Sequence, residues 1–311
     1  MVFGFASATL LALLPTILAS SALSRPFYWF SFGDSYTQTG FNITTGPLPS
    51  PGNPMGNPTY PGATATPGEN WIDVATTKYN HSLVLTYNFG YSGATVSRDI
   101  VPPFADFVRT LPDQIDELVS WNMAQHPQPW TSSNALFSIW IGINDIDLSY
   151  ALDVDHTALT NQLITRYFQY IQRLLRPVFT VVSLSRCLTD LGGRNFLFLN
   201  VPPLDRTPEL LVQNTTVRAS EARIIAYYNA QLAAGVDKFK SSHSGVRTWQ
   251  YDAHAAFTQV LDHPEQYGFN NITGDDGTTP GQFWYNWLHP VSAAQVIFGK
   301  EVGELLHDTP W

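Results

Sequence analysis

Five short apolar runs, each separated from the next by turn residues and a stretch of helical spacing, constrain this chain more than any other feature. They cover residues 27–32, 83–89, 135–141, 195–201 and 246–251. None alternates strictly between apolar and polar side chains, and such near-continuous runs suit strands buried on both faces. Between them, Leu111, Ile115, Leu118 and Val119 form one helical stripe, with Pro112 suited to a first turn. Leu159, Leu163, Tyr167, Ile171, Leu174 and Leu175 form a second. Residues 219–239 and 293–306 read similarly, and a further helix contains Trp71. Strands alternating with helices predict an α/β fold, a parallel sheet with helices on both faces. No repeat appears, and no linker separates two cores. Residues 25–311 are therefore expected to form a single domain, long enough to bury a sizeable core.

Composition narrows the function. Charged residues make up 13% of the chain, the formal net charge is −9, and no basic cluster occurs, which argues against nucleic-acid binding. Residues 1–22 are apolar and small and close on Ala19-Ser20-Ser21-Ala22, the small-x-small pattern of a removable secretory signal peptide. No Lys or Arg precedes the run and Pro15 interrupts it; a membrane anchor is the alternative, for which the run is short. No later stretch is long and apolar enough to span a bilayer, so the mature chain is expected to be secreted, extracellular and free of the membrane. Asn-x-Ser/Thr sequons at Asn42, Asn80, Asn214 and Asn271 are candidate glycan acceptors, whereas Pro58 disqualifies Asn57. Cys187 is the only cysteine, so an internal disulfide and a Cys-based zinc site are excluded, and it is read as a packing residue. Residues 176–190 follow a good helix and then break it with Pro177 and β-branched residues; they read as a kinked or paired helix or as an insertion, before a helix-end signal at Leu191-Gly192-Gly193. The Pro- and Gly-rich residues 46–68 form a long loop that could wall one side of a site.

Four short stretches can carry chemistry: Gly33-Asp34-Ser35, Tyr91-Ser92-Gly93-Ala94, Trp140-Ile141-Gly142-Ile143-Asn144-Asp145 and Trp287-Leu288-His289-Pro290. The first three each follow a candidate strand and so converge on one edge of a parallel sheet, where open α/β sheets keep their ligands. Acyl transfer needs a hydroxyl to attack, an imidazole to take its proton and donors to meet the oxyanion. Ser35 offers the hydroxyl and a backbone N–H. Gly93 offers an N–H unobstructed by a side chain, with Gly90 as an alternative donor, and Asn144 offers a side-chain amide. His289 is the base, chosen by its place in the order from among eight histidines. Asp34 is expected to tie down its own turn and Asp145 to cap or brace the segment that follows it. Tyr36, Phe41, Tyr60, Trp71, Trp284 and Trp287 cluster around these stretches and suggest a platform for sugar rings. No zinc or dinucleotide motif appears, so no metal and no cofactor is expected.

The ordered set resembles the SGNH hydrolase superfamily, also called GDSL esterases and lipases, across nearly the whole mature chain. More narrowly it resembles the fungal secreted acetylesterases of carbohydrate esterase family 16. The likeness is carried by residues 32–41, 88–95, 140–146 and 195–203 and by Leu288-His289-Pro290. It implies a flavodoxin-like three-layer α/β/α sandwich around a five-stranded parallel sheet. It implies Ser35 as nucleophile, Ser35, Gly93 and Asn144 as oxyanion partners and His289 as base. One position departs from the family pattern, which has Asp three residues before the His; this chain has Asn286. A neutral amide cannot stabilise imidazolium by charge, but its oxygen can still fix the useful tautomer. Asp275 or Asp276 is the alternative orienter. The expected function is a secreted, monomeric serine esterase that removes acetyl groups from sugars or oligosaccharides. The competing readings are a lipolytic esterase on short acyl glycerides or phospholipids, and a catalytically weak carbohydrate-binding protein on an esterase scaffold.

Overall fold

In the computed structural model the described residues are 1, 25–125, 129–175, 177–178 and 189–311. The expected signal peptide, Cys187 and most of 176–190 lie outside them. Among the described residues seven strands occur: β1 (Phe27–Gly33), β2 (Val84–Asn88), β3 (Ala135–Trp140), β4 (Pro177–Val178), β5 (Thr189–Asp190), β6 (Asn195–Leu199) and β7 (Arg247–Tyr251). Five of them form one sheet in the order β2-β1-β3-β6-β7, parallel throughout. This is the flavodoxin-like order, whose direction of winding reverses between β1 and β3.

Register explains the aromatic content of the runs. Phe30 pairs with Phe137, which pairs with Phe196. Their rings stack across three adjacent strands with centroids 5.3 and 5.5 Å apart. Cross-strand aromatic pairs of this kind add to the burial that holds a sheet together. The opposite face carries Trp29, whose indole N–H donates to Ser138 Oγ at 2.8 Å, so the polar residues inside the sheet have partners.

Helices cover both faces. The expected stripes become α2 (Leu111–Ala124), α4 (His156–Leu175), α6 (Thr215–Ser242) and α8 (Ser292–Leu305), and the Trp71 segment becomes α1 (Trp71–Thr77). α1 packs on α8, while α4 packs against both α2 and α6. The fold is therefore the three-layer α/β/α sandwich that the resemblance implies. Asn70 caps α1 by accepting from Asp73 N–H, while Asp73 accepts from Asn70 N–H. The short helices α3 (Ile143–Asp147), α5 (Pro208–Leu211) and α7 (Ala253–Asp262) were not legible from apolar spacing. α7 buries Phe257, Val260 and Leu261, but only ten residues carry its pattern.

Three expectations change here. The run at 246–251 reads as a buried strand in the sequence, yet β7 is an edge strand with only Tyr251 of its five residues buried. Leu191-Gly192-Gly193 does close a helix, although from a distance. Gly193 N–H donates to Leu174 C=O in the last turn of α4 at 3.0 Å. Antiparallel pairing of β4 with β5 likewise brings the two ends of 176–190 together. The loop at 46–68 lies partly along the other edge of the sheet, where Pro54 C=O accepts from Thr86 N–H of β2 at 2.8 Å and covers part of an otherwise open edge.

Candidate active site

β1 ends at Gly33, and the turn after it is held from several sides. Gln114 of α2 clamps the Gly33 peptide: its Oε1 accepts from Gly33 N–H at 3.0 Å and its Nε2 donates to Gly33 C=O at 2.8 Å. Asp34 Oδ1 accepts from Tyr36 N–H at 3.0 Å, and Asp34 C=O accepts from Thr37 and Gln38 N–H. Asp34 thus ties down its own turn, as expected, and Ser35 is carried at its bend. Downstream, Thr37 C=O accepts from Asn88 Nδ2 and Asn70 Nδ2. Gln114 was missed because a polar residue beside an apolar stripe gives no signal of its own. Its role depends on which backbone group α2 faces.

His289 arrives from the other end of the chain. Its Nε2 lies 2.7 Å from Ser35 Oγ, and its Nδ1 lies 3.0 Å from Asn286 Oδ1. The protonation pattern follows from the donors around Asn286. Its Oδ1 also accepts from Leu288 N–H at 3.0 Å and His289 N–H at 2.8 Å. Backbone N–H groups only donate, so the atom facing them is the amide oxygen, and an oxygen facing His289 Nδ1 requires that nitrogen to carry a proton. Nε2 is then the free lone pair, and Ser35 Oγ–H donates to it. Burial pushes the His289 imidazole down to about 4. Neutral imidazole, the form able to accept a proton, therefore persists far into the acid range.

The rest of the turn is locked as well. Tyr285 N–H donates to His289 C=O at 2.8 Å, and Tyr36 Oη donates to Leu288 C=O at 2.7 Å. The second bond joins the serine turn to the histidine turn directly. Asp275 and Asp276, the alternative orienters, do not reach the imidazole. Asp276 accepts from Thr278 N–H, Thr279 N–H and Thr279 Oγ1 in its own exposed turn, and these bonds hold it down at about 2. Asp275 is exposed.

The loop after β2 supplies the third part. Tyr91 N–H donates to Gly33 C=O and Ser92 N–H to Gln38 Oε1, which fixes this loop against the serine turn. Gly93 has φ of +79°, a conformation that favours glycine. Gly90 N–H is engaged by Asn88 Oδ1 at 3.2 Å, whereas among the described residues Gly93 N–H and Ser35 N–H have no hydrogen-bond acceptor. Asn144, in the first turn of α3, donates one amide proton to Ala94 C=O at 3.0 Å and keeps a second. Gly142 makes that turn possible, with φ of +121° and the Tyr228 hydroxyl where a side chain would stand.

Asp145 departs from expectation. Its carboxylate does not brace the following segment; both oxygens accept from Val96 N–H, at 3.1 and 2.9 Å, back in the loop after β2. Burial pushes Asp34 up to about 7 and Asp145 up to about 8, the field of Asp34 adding to the second shift. A further acidic group lies nearby. Burial and the neighbouring Asp147 carboxyl push Glu209 up to about 7, burial and the fields of Asp147, Asp205 and Glu209 push Glu221 up to about 8, and Glu209 N–H donates to Trp287 C=O at 3.0 Å.

The aromatic platform read from the sequence is largely wrong. Tyr36, Phe41, Trp71 and Trp284 are buried in the core. Their rings pack on neighbouring aromatics, Tyr36 and Trp71 both meeting Trp140. Tyr60 is exposed but hydrogen-bonds Glu69 and Thr77 beside α1. Only Trp287 is both exposed and near His289, its ring centroid 6.4 Å from the imidazole. Sequence reading passed over Phe104 and Phe107, both exposed on the loop after β2.

A hydroxyl bonded to a neutral, tautomer-fixed imidazole beside uncommitted N–H donors is the apparatus of a serine hydrolase. Residues 30–302 match the family model of the GDSL-like lipase/acylhydrolases, and the chain belongs to that family. It is a carboxylic ester hydrolase. It is 37% identical over 297 residues to an acetylesterase of Thermothelomyces thermophilus, covering 92% of each chain. It is 25% identical to an acetylesterase of Hypocrea jecorina, covering 88% of this chain and 87% of that one. Among solved structures, an acetylxylan esterase from Geobacillus stearothermophilus has a TM-score of 0.50 at 15% identity, covering 90% and 94% of the two chains. That likeness concerns the fold.

Proposed function

We propose that this chain is a secreted esterase that removes acetyl groups from carbohydrates, with Ser35 as nucleophile. The carrying observation is the unbroken path from Asn286 Oδ1 through the imidazole to Ser35 Oγ, with bonds of 3.0 and 2.7 Å. Acetyl specificity is supported by the two fungal acetylesterases to which the chain is similar.

In the proposed reaction Ser35 Oγ attacks the acetyl carbonyl carbon as its proton passes to His289 Nε2. The negative charge gathers on the carbonyl oxygen, met by Ser35 N–H, Gly93 N–H and the second amide proton of Asn144. The carbon–oxygen bond to the sugar then breaks, and Nε2 returns the proton to the departing sugar oxygen. Water attacks the acetyl-serine, again giving its proton to Nε2, and acetate leaves as Ser35 recovers the proton. Asn286 Oδ1 keeps the imidazole in the required tautomer throughout. It offers a dipole where most of the family has a charge, so the imidazolium formed midway is held by hydrogen bonding and not by an ion pair.

The sequons fit a secreted glycoprotein to different degrees. Asn214 is exposed at the N-terminus of α6, while in Asn42 and Asn271 the side-chain oxygen accepts from the sequon threonine hydroxyl. Ser35→Ala is expected to abolish acetate release from both p-nitrophenyl acetate and acetylated xylo-oligosaccharides, leaving the circular dichroism spectrum unchanged. Activity retained in clean protein would refute the assignment.

A further inference from the structure

Phe104 and Phe107 are 63% and 68% exposed, although most large apolar side chains among the described residues are buried. A single exposed apolar residue means little. These two form a pair, edge to face with centroids 5.8 Å apart. Phe104 also adjoins the site: its ring edge stands where Gly93 would carry a side chain, 2.1 Å from the ideal Cβ position. Contiguous exposed apolar surface beside a reactive centre marks a ligand-binding surface.

The segment that carries them is well tied. Thr95 Oγ1 donates to Val101 C=O at 2.9 Å, Leu111 N–H to Thr95 C=O at 3.1 Å and Val108 N–H to Ala105 C=O at 3.2 Å. Arg98 Nη2 reaches Val108 C=O at 2.8 Å and Asp113 at 3.2 Å. The rings are thus held in water by a bonded frame, and rigid aromatic surface binds ligands at little cost in ordering. Trp287, 47% exposed, stands on the other flank. In the order β2-β1-β3-β6, the loops after β2 and β6 lie on either side of Ser35, and Glu209 of the second holds Trp287 C=O.

We infer that Phe104 and Phe107 form the stacking platform for the sugar ring on the alcohol side of the ester. This rests on the acetyl-ester reading proposed above. An acetyl group extends one carbon past its carbonyl and cannot cover two rings, so the acyl half leaves the platform unused. A pyranose has a flat face of C–H groups with its hydroxyls around the rim. Stacked on a ring beside Gly93, it buries its apolar face, keeps the hydroxyls in water and leaves its acetyl carbonyl within reach of the Gly93 N–H.

The test compares Phe104→Ala, Phe107→Ala and Phe104→Trp with the parent on three kinds of ester. Acetylated xylo-oligosaccharides carry the sugar; methyl acetate keeps the acyl group without it; ethyl esters of rising acyl length probe the other half. Each alanine variant is expected to lower kcat/KM on the oligosaccharide about tenfold, mainly through KM, with methyl acetate within about twofold. Phe104→Trp should restore oligosaccharide turnover. The ring set against Gly93 is that of Phe104, so the Phe107 variant separates platform loss from a disturbed oxyanion donor. Equal losses on methyl acetate and oligosaccharide, unchanged oligosaccharide KM, or losses confined to long acyl chains would each overturn the inference. Failure of the underlying reading has a different sign: the parent itself would favour long acyl esters over acetyl.

Discussion

The two halves of the Ser35–His289 pair are positioned in opposite ways. The serine turn is held by residues far away in sequence: Gln114 clamps Gly33, Tyr91 N–H donates to Gly33 C=O, and Asn70 and Asn88 hold Thr37. In the histidine turn the imidazole is oriented by a residue three positions away, since one oxygen of Asn286 gathers the N–H groups of Leu288 and His289 and the Nδ1 proton, while Tyr36 and Glu209 hold only the carbonyls of Leu288 and Trp287 from a distance. The first arrangement needs the sheet and α2 to be in place. The second is a local turn of the kind Asn and Asp make in any context. The local solution also explains why a neutral amide suffices geometrically. Two backbone donors orient the oxygen, and a carboxylate would be oriented by the same pair.

Breaking the local half should cost most. Asn286→Ala removes the acceptor that holds Nδ1–H and frees the imidazole to change tautomer. In a serine protease, an Asp-to-Asn change at the orienting position costs about 10⁴ in kcat, through the wrong tautomer. Because Asn286 provides orientation without charge, a fall of roughly 10³ is expected here. Steady-state kinetics on p-nitrophenyl acetate will show it, and a loss under about tenfold would mean that another group orients His289.

The distant half should yield a smaller loss with a larger share in stability. Gln114→Ala leaves the buried Gly33 N–H without an acceptor, whereas Gly33 C=O keeps Tyr91 N–H. An orphaned buried donor costs about 1–3 kcal/mol. Chemical denaturation should report that loss, accompanied by roughly a tenfold fall in kcat/KM as the serine turn loosens. A fall in rate with unchanged stability would show that the clamp acts on chemistry alone.

Asn286→Asp sharpens the comparison with the least change in rate. The same three donors remain satisfied, so kcat above neutral pH should stay within about tenfold of the parent. The pH profile should move instead. In the proposed mechanism His289 is the neutral base, and burial holds it near 4, so the acid limb of kcat/KM for the parent should lie near pH 4. A carboxylate beside Nδ1 favours the imidazolium and raises that value, so the limb should shift upward and the variant should lose activity sooner as pH falls. A gain of several orders of magnitude at neutral pH would show that the parent is crippled by its amide; an unmoved limb would show that the limb does not belong to His289.

Much of this molecule was legible before any coordinates. The runs that became β1, β2, β3 and β6 were found within a residue or two, because burial on both faces leaves few polar residues in them. The long helices were found by their stripes. Ser35, Gly93 and Asn144 stand out in the sequence because ordered short stretches follow the strands, and a parallel sheet gathers those ends on one edge; His289 stands out by its place in the order, and the structure sets its imidazole against Ser35. Misreadings arose where a residue's role depends on what packs over it. Trp71 and Trp284 have the composition of a platform and lie in the core. Phe104 and Phe107 have the composition of a core and lie in water. Asp145 bonds Val96, 49 positions earlier, although its place at the start of a short helix suggested local bracing.

The sequence alone therefore determined the class of fold and the candidate reactive groups, because periodicity, turn chemistry and chain order are local properties. Only the tertiary structure decided which glycine N–H is open, that the Asn286 oxygen faces the imidazole, and which aromatic rings meet solvent. Each of these depends on the donors and surfaces that distant segments bring alongside, and no window of sequence contains both partners.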